Sequence, residues 1–428
     1  LLALAARHDW EVDQGDIHTA FLHANVDSII YITLPERCND LPGLQRTATR
    51  IDDICYQLLK AIPGIPQGSK LFQDLLFKSL QDLLDFNFRR MPDEPSVFIS
   101  FGKAGVPWTG FLLILLIWVD DLFLFYPKQC RGMADDLWIA LQKKFDLPNR
   151  EPIDVAVGIK ILRDRANKTI HMYQPRAIMK TLQETGMSDS NPSPIPGTPG
   201  FSYTKNDSPN PPTPKTQEAE LYRSTVCSLL HVAVWTRPDI ATAVSKLARF
   251  LRNPGLKHWQ QLKILLRYLK GSATKSLTFN FSKDSTAPGP VPAGENSPLV
   301  TFFDSSYADC PDTRRSTVGS ITFLWGAAID WRSKLYRRVT TASNKAEYCA
   351  GSQAIQRAKA SHNILYALAI VTRSMPMIMY TDSNGAFGMI NNPGPRPNSR
   401  QMDVIEHLLR QTETSGETVT KLISSAYN

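Results

Sequence analysis

Six carboxylates stand where acids could do chemistry. Asp16 closes a short stretch, Glu11-Val12-Asp13 to Ile17, that has the look of a strand. Asp120-Asp121 sit between two apolar runs, 111–119 and 122–125. Strand, tight acidic turn and second strand is the natural reading, a hairpin with two carboxylates at its tip. Burying unpaired carboxylates costs several kcal/mol, so such a pair is either solvated or holding a cation. A second set lies far along the chain. Asp304 ends the strand-like segment 299–304, Glu347 falls in the first turns of a helix predicted over 345–370, and Asp382 ends the segment 377–381. Carboxylates gathered from distant segments can hold two divalent ions about 3.5–4 Å apart, which supply charge stabilisation and in-line positioning for phosphoryl transfer. Taken singly, each acid could equally be a solvated turn residue or a helix cap.

The elements that must position these acids follow from composition and spacing. The chain has 428 residues, enough for two or three domains. With 43% hydrophobic and 21% charged residues it is globular, not a disordered tail. Two proline-rich stretches, 189–215 with eight prolines and 285–298 with four, read as linkers or exposed loops. They divide the chain into 1–188, 216–284 and 299–428. The first block mixes strands with a helix over 71–84. In the middle block, Thr236 before Arg237-Pro238-Asp239 reads as a hydroxyl cap and helix start, with a stripe of Ile240, Ala243, Val244, Leu247 and Leu251. The helix after Asn253-Pro254-Gly255 buries Trp259, Leu262, Leu265, Leu266 and Leu269, leaving Lys263, Arg267 and Lys270 on its other face. Residues 215–275 carry eleven Lys/Arg against three acids, an excess equal to the whole chain's net charge of +8. Such localised charge suits a phosphate-binding surface, though solvated helix faces would give the same count. The last block reads as three strands, a helix, a strand and a helix over 402–410, a mixed sheet with helices across it. The six cysteines, Cys38, Cys55, Cys130, Cys227, Cys310 and Cys349, form no CxxC pair, which disfavours a disulfide scaffold or a zinc finger and suits a reducing compartment. The longest apolar run is too short to cross a bilayer. The expectation is an intracellular location, cytoplasmic or nuclear, with no membrane partner.

Several motifs carry a family resemblance. Asp16-Ile17-His18-Thr19-Ala20-Phe21-Leu22 and Trp118-Val119-Asp120-Asp121 resemble the two catalytic motifs of copia-type LTR retrotransposon reverse transcriptases. Pro63-Gly64-Ile65-Pro66-Gln67-Gly68 and Asp93-Glu94-Pro95-Ser96-Val97-Phe98 are similar to segments between them. Tyr222-Arg223-Ser224, Thr236-Arg237-Pro238-Asp239-Ile240, His258-Trp259 and 266–271 resemble the segment connecting polymerase to RNase H. Phe303-Asp304-Ser305-Ser306-Tyr307-Ala308-Asp309, Arg314-Arg315-Ser316-Thr317, Trp331-Arg332-Ser333-Lys334 and Ala346-Glu347-Tyr348 resemble the RNase H domain, with Asp309 and Asp312 as loop acids. The motifs fall in family order along nearly the whole chain.

The resemblance implies an α+β polymerase palm and fingers over 1–188 and a helical thumb or connection over 216–284. An α/β RNase H-like domain with a mixed sheet follows over 299–428. It implies RNA-directed DNA synthesis with removal of the RNA strand of the hybrid. Asp16, Asp120 and Asp121 would hold one pair of Mg²⁺ or Mn²⁺ ions, and Asp304, Glu347 and Asp382 another. Phe21 would lie under the incoming sugar and favour deoxynucleotides, or be a core phenylalanine. Gln67 would touch the nucleotide, or be a loop residue. Lys263, Arg267 and Lys270 would bind nucleic acid. The implied partners are an RNA template, a DNA primer, the RNA–DNA hybrid and deoxynucleoside triphosphates.

The sequence also departs from the pattern. Gly15 replaces the usual apolar residue before the first aspartate, Trp118 replaces a Tyr or Phe, and His18 and Pro66 stand at usually basic positions. Gln401-Met402-Asp403 replaces Lys-His-Ile-Asp. The chain starts Leu-Leu-Ala-Leu, after the family's basic fingers residues, and stops before its last acidic helix, for which Asp403 is a substitute candidate. The expectation is an enzyme impaired by truncation. The rival is a decayed or domesticated remnant that binds nucleic acid without catalysis.

Overall fold

A computed structural model describes residues 1–33, 55–83, 85–101, 113–212, 216–280, 297–392 and 407–425. The chain forms two compact units, His8–Ile153 and a second made of Leu1–Arg7 with Asp154–Asn428. The helix α1 (Leu2–His8) opens the chain.

The His8–Ile153 unit is built on a sheet. Its elements are β1 (Glu11–Asp16), α2 (Ala20–His23), the two-residue pair β2 (Tyr31–Ile32) and β3 (Tyr56–Gln57), and α3 (Gly68–Gln81). Then come β4 (Phe88–Arg90), β5 (Val97–Ser100), β6 (Leu113–Trp118), β7 (Asp121–Tyr126), α4 (Arg131–Gln142) and β8 (Glu151–Pro152). Six strands run β4-β5-β6-β7-β1-β8, with the acid-tipped hairpin β6-β7 beside β1. Its near-continuous apolar sequence is explained by burial on both faces: Leu113, Ile114, Leu115, Leu122 and Leu124 are all fully buried. Helix α3 inserts Phe72, Leu76 and Leu80 into this core and α4 inserts Leu137, Trp138 and Leu141, one stripe each at helical spacing.

The second unit begins with a sheet of β9 (Val155–Ala156), β10 (Ile159–Asp164), β11 (Thr169–Tyr173) and the distant β12 (Leu277–Asn280), ordered β12-β11-β10-β9. Between β11 and β12 lie α5 (Pro175–Glu184), α6 (Gln217–Trp235), α7 (Ala241–Leu247) and α8 (Leu256–Gly271), around a core of Tyr222, Leu229, Val244 and Leu265. The antiparallel pairing of β11 with β12 closes this segment on itself. Residues 154–188 therefore sit with the second unit, and the compact units part at 153/154, not at the proline-rich stretch near 188.

Two local expectations are corrected here. Thr236 caps the C-terminus of α6, and its hydroxyl donates to Gln174 Oε1 at 2.9 Å; the next turn, Pro238–Ile240, starts from Arg237 without a side-chain cap. The described part of 189–215 is a strap, not a free linker. Thr198 N donates to Gln261 Oε1 at 3.2 Å, and Tyr203, 8% exposed, stacks on Phe250 in the helical core. Proline rigidity keeps it irregular while its few donors find partners. The second proline-rich stretch lies outside the described residues except at 297–298.

The last sheet contains β13 (Leu299–Ser306), β14 (Thr317–Leu324), β15 (Ala327–Leu335), β16 (Met377–Thr381) and β17 (Thr418–Leu422), ordered β15-β14-β13-β16-β17. Strands β13, β14 and β15 are antiparallel, while β16 and β17 join in parallel, so the sheet is mixed. Helix α9 (Ser343–Ala367) packs on β13 and β14. Helices α10 (Asn384–Asn391) and α11 (Leu408–Thr414) complete the fold. Of the helix expected over 402–410, residues 402–406 lie outside the described residues.

Candidate active sites

In the first unit, antiparallel register sets Asp16 of β1 directly opposite Asp121 of β7. Cross-strand partners of this kind stand about 4.5–5.5 Å apart at Cα. Asp120 occupies the two-residue turn, and its carbonyl accepts from Ile17 N at 3.0 Å, which braces the hairpin tip against the end of β1. Val119, beside it, has φ 62°. A β-branched residue in the left-handed region is strained, by on the order of 1–3 kcal/mol, and such strain collects at functional turns. All three sequence-predicted carboxylates thus meet at one sheet end. Their mutual repulsion is legible in the acidities. Burial, then the charge of Asp120, raises Asp16 above the usual carboxylate range, with His18 opposing; burial, Asp120 and Asp16 raise Asp121.

The departures from the family pattern acquire reasons. A Cβ on Gly15 would lie 2.5 Å from Trp138 Cζ2, so the indole of α4 fills the space of the missing side chain. Trp118 is 45% exposed at the hairpin tip. Phe21 is half-buried, edge-on to Phe72 with ring centroids 6.4 Å apart. Gln67 precedes α3 and its Nε2 donates to Ser28 Oγ at 3.4 Å.

Beneath the carboxylates lies a network that linear reading missed. Tyr126 OH donates to Asp13 Oδ2 at 2.6 Å, Arg150 Nη1 donates to the same oxygen at 2.7 Å, and Arg150 also pairs with Asp135. It links β1, β7, α4 and the approach to β8. No sequence signal marked it, since Asp13 sits in a mostly polar strand, Glu11-Val12-Asp13-Gln14-Gly15-Asp16.

The second set assembles in the second unit. Phe302 and Tyr380 are register partners on the parallel strands β13 and β16, so Asp304 and Asp382, each two residues further on, lie level near the carboxyl edge, where α/β sheets place ligands; β13 runs on to Ser306, two residues past the expected end at Asp304, while Asp382 follows the last residue of β16. Glu347, in the second turn of α9, is buried. Ser305 Oγ donates to Glu347 Oε1 at 2.8 Å, while Oε2 is buried with no hydrogen-bond partner. Burial pushes Glu347 up to about 7; the Ser305 hydrogen bond opposes this, and the charges of Asp304 and Asp382 add to it. A buried carboxylate oxygen without a donor, facing two further carboxylates, fits a cation. Among the described residues no three His, Cys, Asp or Glu side chains are gathered tightly enough to hold an ion as they stand. Like charges without a cation repel, so coordination requires the side chains to turn inward. Asp403 lies outside the described residues.

The basic helix is less free than its count suggests. Lys263 is exposed, Lys270 is half-buried, and Arg267 Nε donates to Asn191 O at 2.6 Å, holding the strap. Arg237 is buried against Asp239 and Ser272, Lys246 faces Asp309 at 3.4 Å, and Lys257 faces Asp207 at 2.7 Å. Asp309 and Asp312, read as loop acids, are ties to these helices and the strap: Thr204 Oγ1 donates to Asp312 Oδ1 at 2.9 Å.

Residues 1–199 match the family model described as reverse transcriptase (RNA-dependent DNA polymerase). The retrovirus-related Pol polyprotein from transposon TNT 1-94 of Nicotiana tabacum is 29% identical over 413 residues, covering 96% of this chain and 28% of that protein. The Pol polyprotein from transposon RE1 of Arabidopsis thaliana is 27% identical over 423 residues, 97% of this chain and 26% of that protein. Nearly the whole chain is similar to retrotransposon Pol polyproteins, and its first 199 residues to the reverse transcriptase family. It spans about a quarter of the length of these Pol relatives. Among solved structures, an RNase H1 in complex with an RNA/DNA hybrid matches 30% of this chain and 88% of its own, at 14% identity and a TM-score of 0.23. Among the described residues no helix is long and apolar enough to cross a membrane.

Proposed function

We propose that this chain is an RNA-directed DNA polymerase joined to an RNA–DNA hybrid ribonuclease. The observation that carries the reading is the cross-strand pairing of Asp16 with Asp121 at an acidic hairpin tip, within the segment that matches the reverse transcriptase family. Under this reading the His8–Ile153 unit carries palm and part of the fingers, α6–α8 form the thumb or connection, and the last sheet with α9 is RNase H-like. Asp16, Asp120 and Asp121 hold one pair of divalent ions; Asp304, Glu347 and Asp382 hold the other. When bound, such ions stabilise charge developing on the phosphoryl oxygens and lower the pKa of the attacking hydroxyl or water.

The protein's own residues do the positioning. Asp16 and the Asp120–Asp121 turn, braced through Ile17, align a primer 3′-hydroxyl with the α-phosphate of a deoxynucleoside triphosphate. Phe21, fixed on Phe72, limits room at the sugar, and Gln67 contacts the nucleotide. In the second site Ser305 holds Glu347 toward Asp304 and Asp382, where water attacks the RNA phosphodiester. Lys263, Lys270 and the remaining donors of Arg267 contact template, primer or hybrid phosphates without reading sequence.

Primer extension on an RNA template with Mg²⁺ tests the first site. Extension lost in Asp121→Asn supports it, and equal background in both proteins favours a non-catalytic remnant. Hybrid cleavage that survives Asp304→Asn overturns the second assignment.

A further inference from the structure

A cleft of about 180 Å³ opens between the start of α7 and the last sheet, with Pro238, Ala241 and Thr242 on the helical side and Asp304, Gly319 and Ser333 on the sheet side. The sheet residues form one row, since Asp304 pairs with Gly319 and Gly319 with Ser333 in register. They therefore share a face. Gly319 is the floor. A Cβ there would meet only the carbonyl oxygens of Arg332 and Asp304, at 3.8 and 3.9 Å, so the absent side chain leaves room and not strain.

Both walls are held rigidly. Trp331 Nε1 donates to Ala233 O at 2.7 Å, which fixes the indole that continues the sheet wall. On the other side Arg237, 2% exposed, anchors the turn before α7 by donating to Asp239 and to Ser272 O at 2.8 Å. The lining is apolar apart from Asp304, Arg332, Ser320 and the hydroxyls of Thr242 and Ser333; those two hydroxyls make no side-chain hydrogen bond among the described residues. Apolar walls with a few convergent polar groups are the signature of a ligand site.

We propose that this cleft seats one ribonucleotide of an RNA strand, beside the phosphodiester presented to Asp304, Glu347 and Asp382. The flat walls take sugar and base, the unpaired hydroxyls meet the 2′-hydroxyl, which both donates and accepts, and the phosphate points to the carboxylate end. The Thr236–Ile240 motif and α7 then act as positioning elements of the nuclease site. The inference rests on the hydrolytic reading of that trio.

The test uses the full chain and an RNA–DNA hybrid whose RNA strand carries 4-thiouridine. Photocrosslinks formed without divalent metal are expected in 238–242 or 331–335, to persist in Asp304→Asn, and to disappear in Gly319→Val, which fills the floor. Crosslinks elsewhere, or unchanged in Gly319→Val, overturn the proposal whether or not the protein cleaves. Under single turnover with Mg²⁺, Gly319→Val should slow cleavage by on the order of a hundredfold through misplacement; a wild-type rate overturns the cleft. Crosslinking in the cleft with no cleavage that depends on Asp304 supports the seat and removes the hydrolytic reading. A milder double variant, Thr242→Val with Ser333→Ala, should weaken hybrid binding roughly tenfold and leave DNA duplex binding unchanged; an equal loss for both overturns the 2′-hydroxyl contact.

Discussion

The two carboxylate trios gather three acids each by different routes. The trio of the first unit is carried on two strand ends and the hairpin turn, with Asp16 facing Asp121 across one antiparallel ladder and both Asp16 and Asp120 exposed. The trio of the second unit takes two residues near strand ends and one helix residue, and that helix residue, Glu347, is buried with an unpartnered oxygen. The first is fixed by backbone pairing and stays solvated; the second is fixed by helix-on-sheet packing, where burial and then the charges of Asp304 and Asp382 raise the pKa of Glu347. Strand register therefore sets the first site, and a buried carboxyl sets the second.

The largest effects should separate the two. Asp16→Asn should lower primer extension on the order of a thousandfold while hybrid cleavage stays near wild type, and Glu347→Gln should do the reverse. Loss of both activities from either change, in assays of the two reactions side by side, would erase the distinction. Next in size, Arg150→Ala strands Asp13 and should cost the first unit about 3–5 kcal/mol, read as a lowered denaturant midpoint. The second unit's transition should not move.

Acidity sharpens the comparison further. In metal-free protein the folded state holds a proton on Glu347 up to about 7, against 4.5 ordinarily. The native state then binds more protons than the unfolded chain between those values, so stability falls as pH rises through that window and levels off above it. The drop should be roughly 2–3 kcal/mol, measured by denaturation in EDTA at pH 5 and pH 8. It should vanish in Glu347→Gln and shrink with Mg²⁺. The smallest effect belongs to the basic helix: Lys263→Ala should reduce the slope of log affinity against log salt by about 1, measured by hybrid anisotropy.

Much of the first candidate site was readable because Asp120 and Asp121 lie between two apolar strands of a length that permits one hairpin. Gly15 looked like a defect in the motif, and only packing reveals Trp138 in its place. Thr236 misled because a hydroxyl before Arg-Pro-Asp mimics a cap, yet α6 runs to Trp235 and uses that hydroxyl against Gln174. The proline-rich strap looked like a boundary because proline punctuates chains, while the pairing of β11 with β12 spans more than a hundred residues of sequence and leaves no local trace. The Asp13–Tyr126–Arg150 network was hidden for the same reason, its partners being 113 and 137 residues apart. Helix α10 and strand β17 are short, and their patterns were too brief to register. Charge counting overstated the basic surface, since Arg237, Lys246 and Lys257 are spent on acids within the unit.

The most direct measurement is anomalous diffraction from crystals of the chain grown with Mn²⁺ and an RNA–DNA hybrid. The account predicts two pairs of peaks, each pair about 4 Å apart, one bounded by Asp16, Asp120 and Asp121 and the other by Asp304, Glu347 and Asp382. Manganese bound at other side chains, with neither trio occupied at saturating metal, would contradict it.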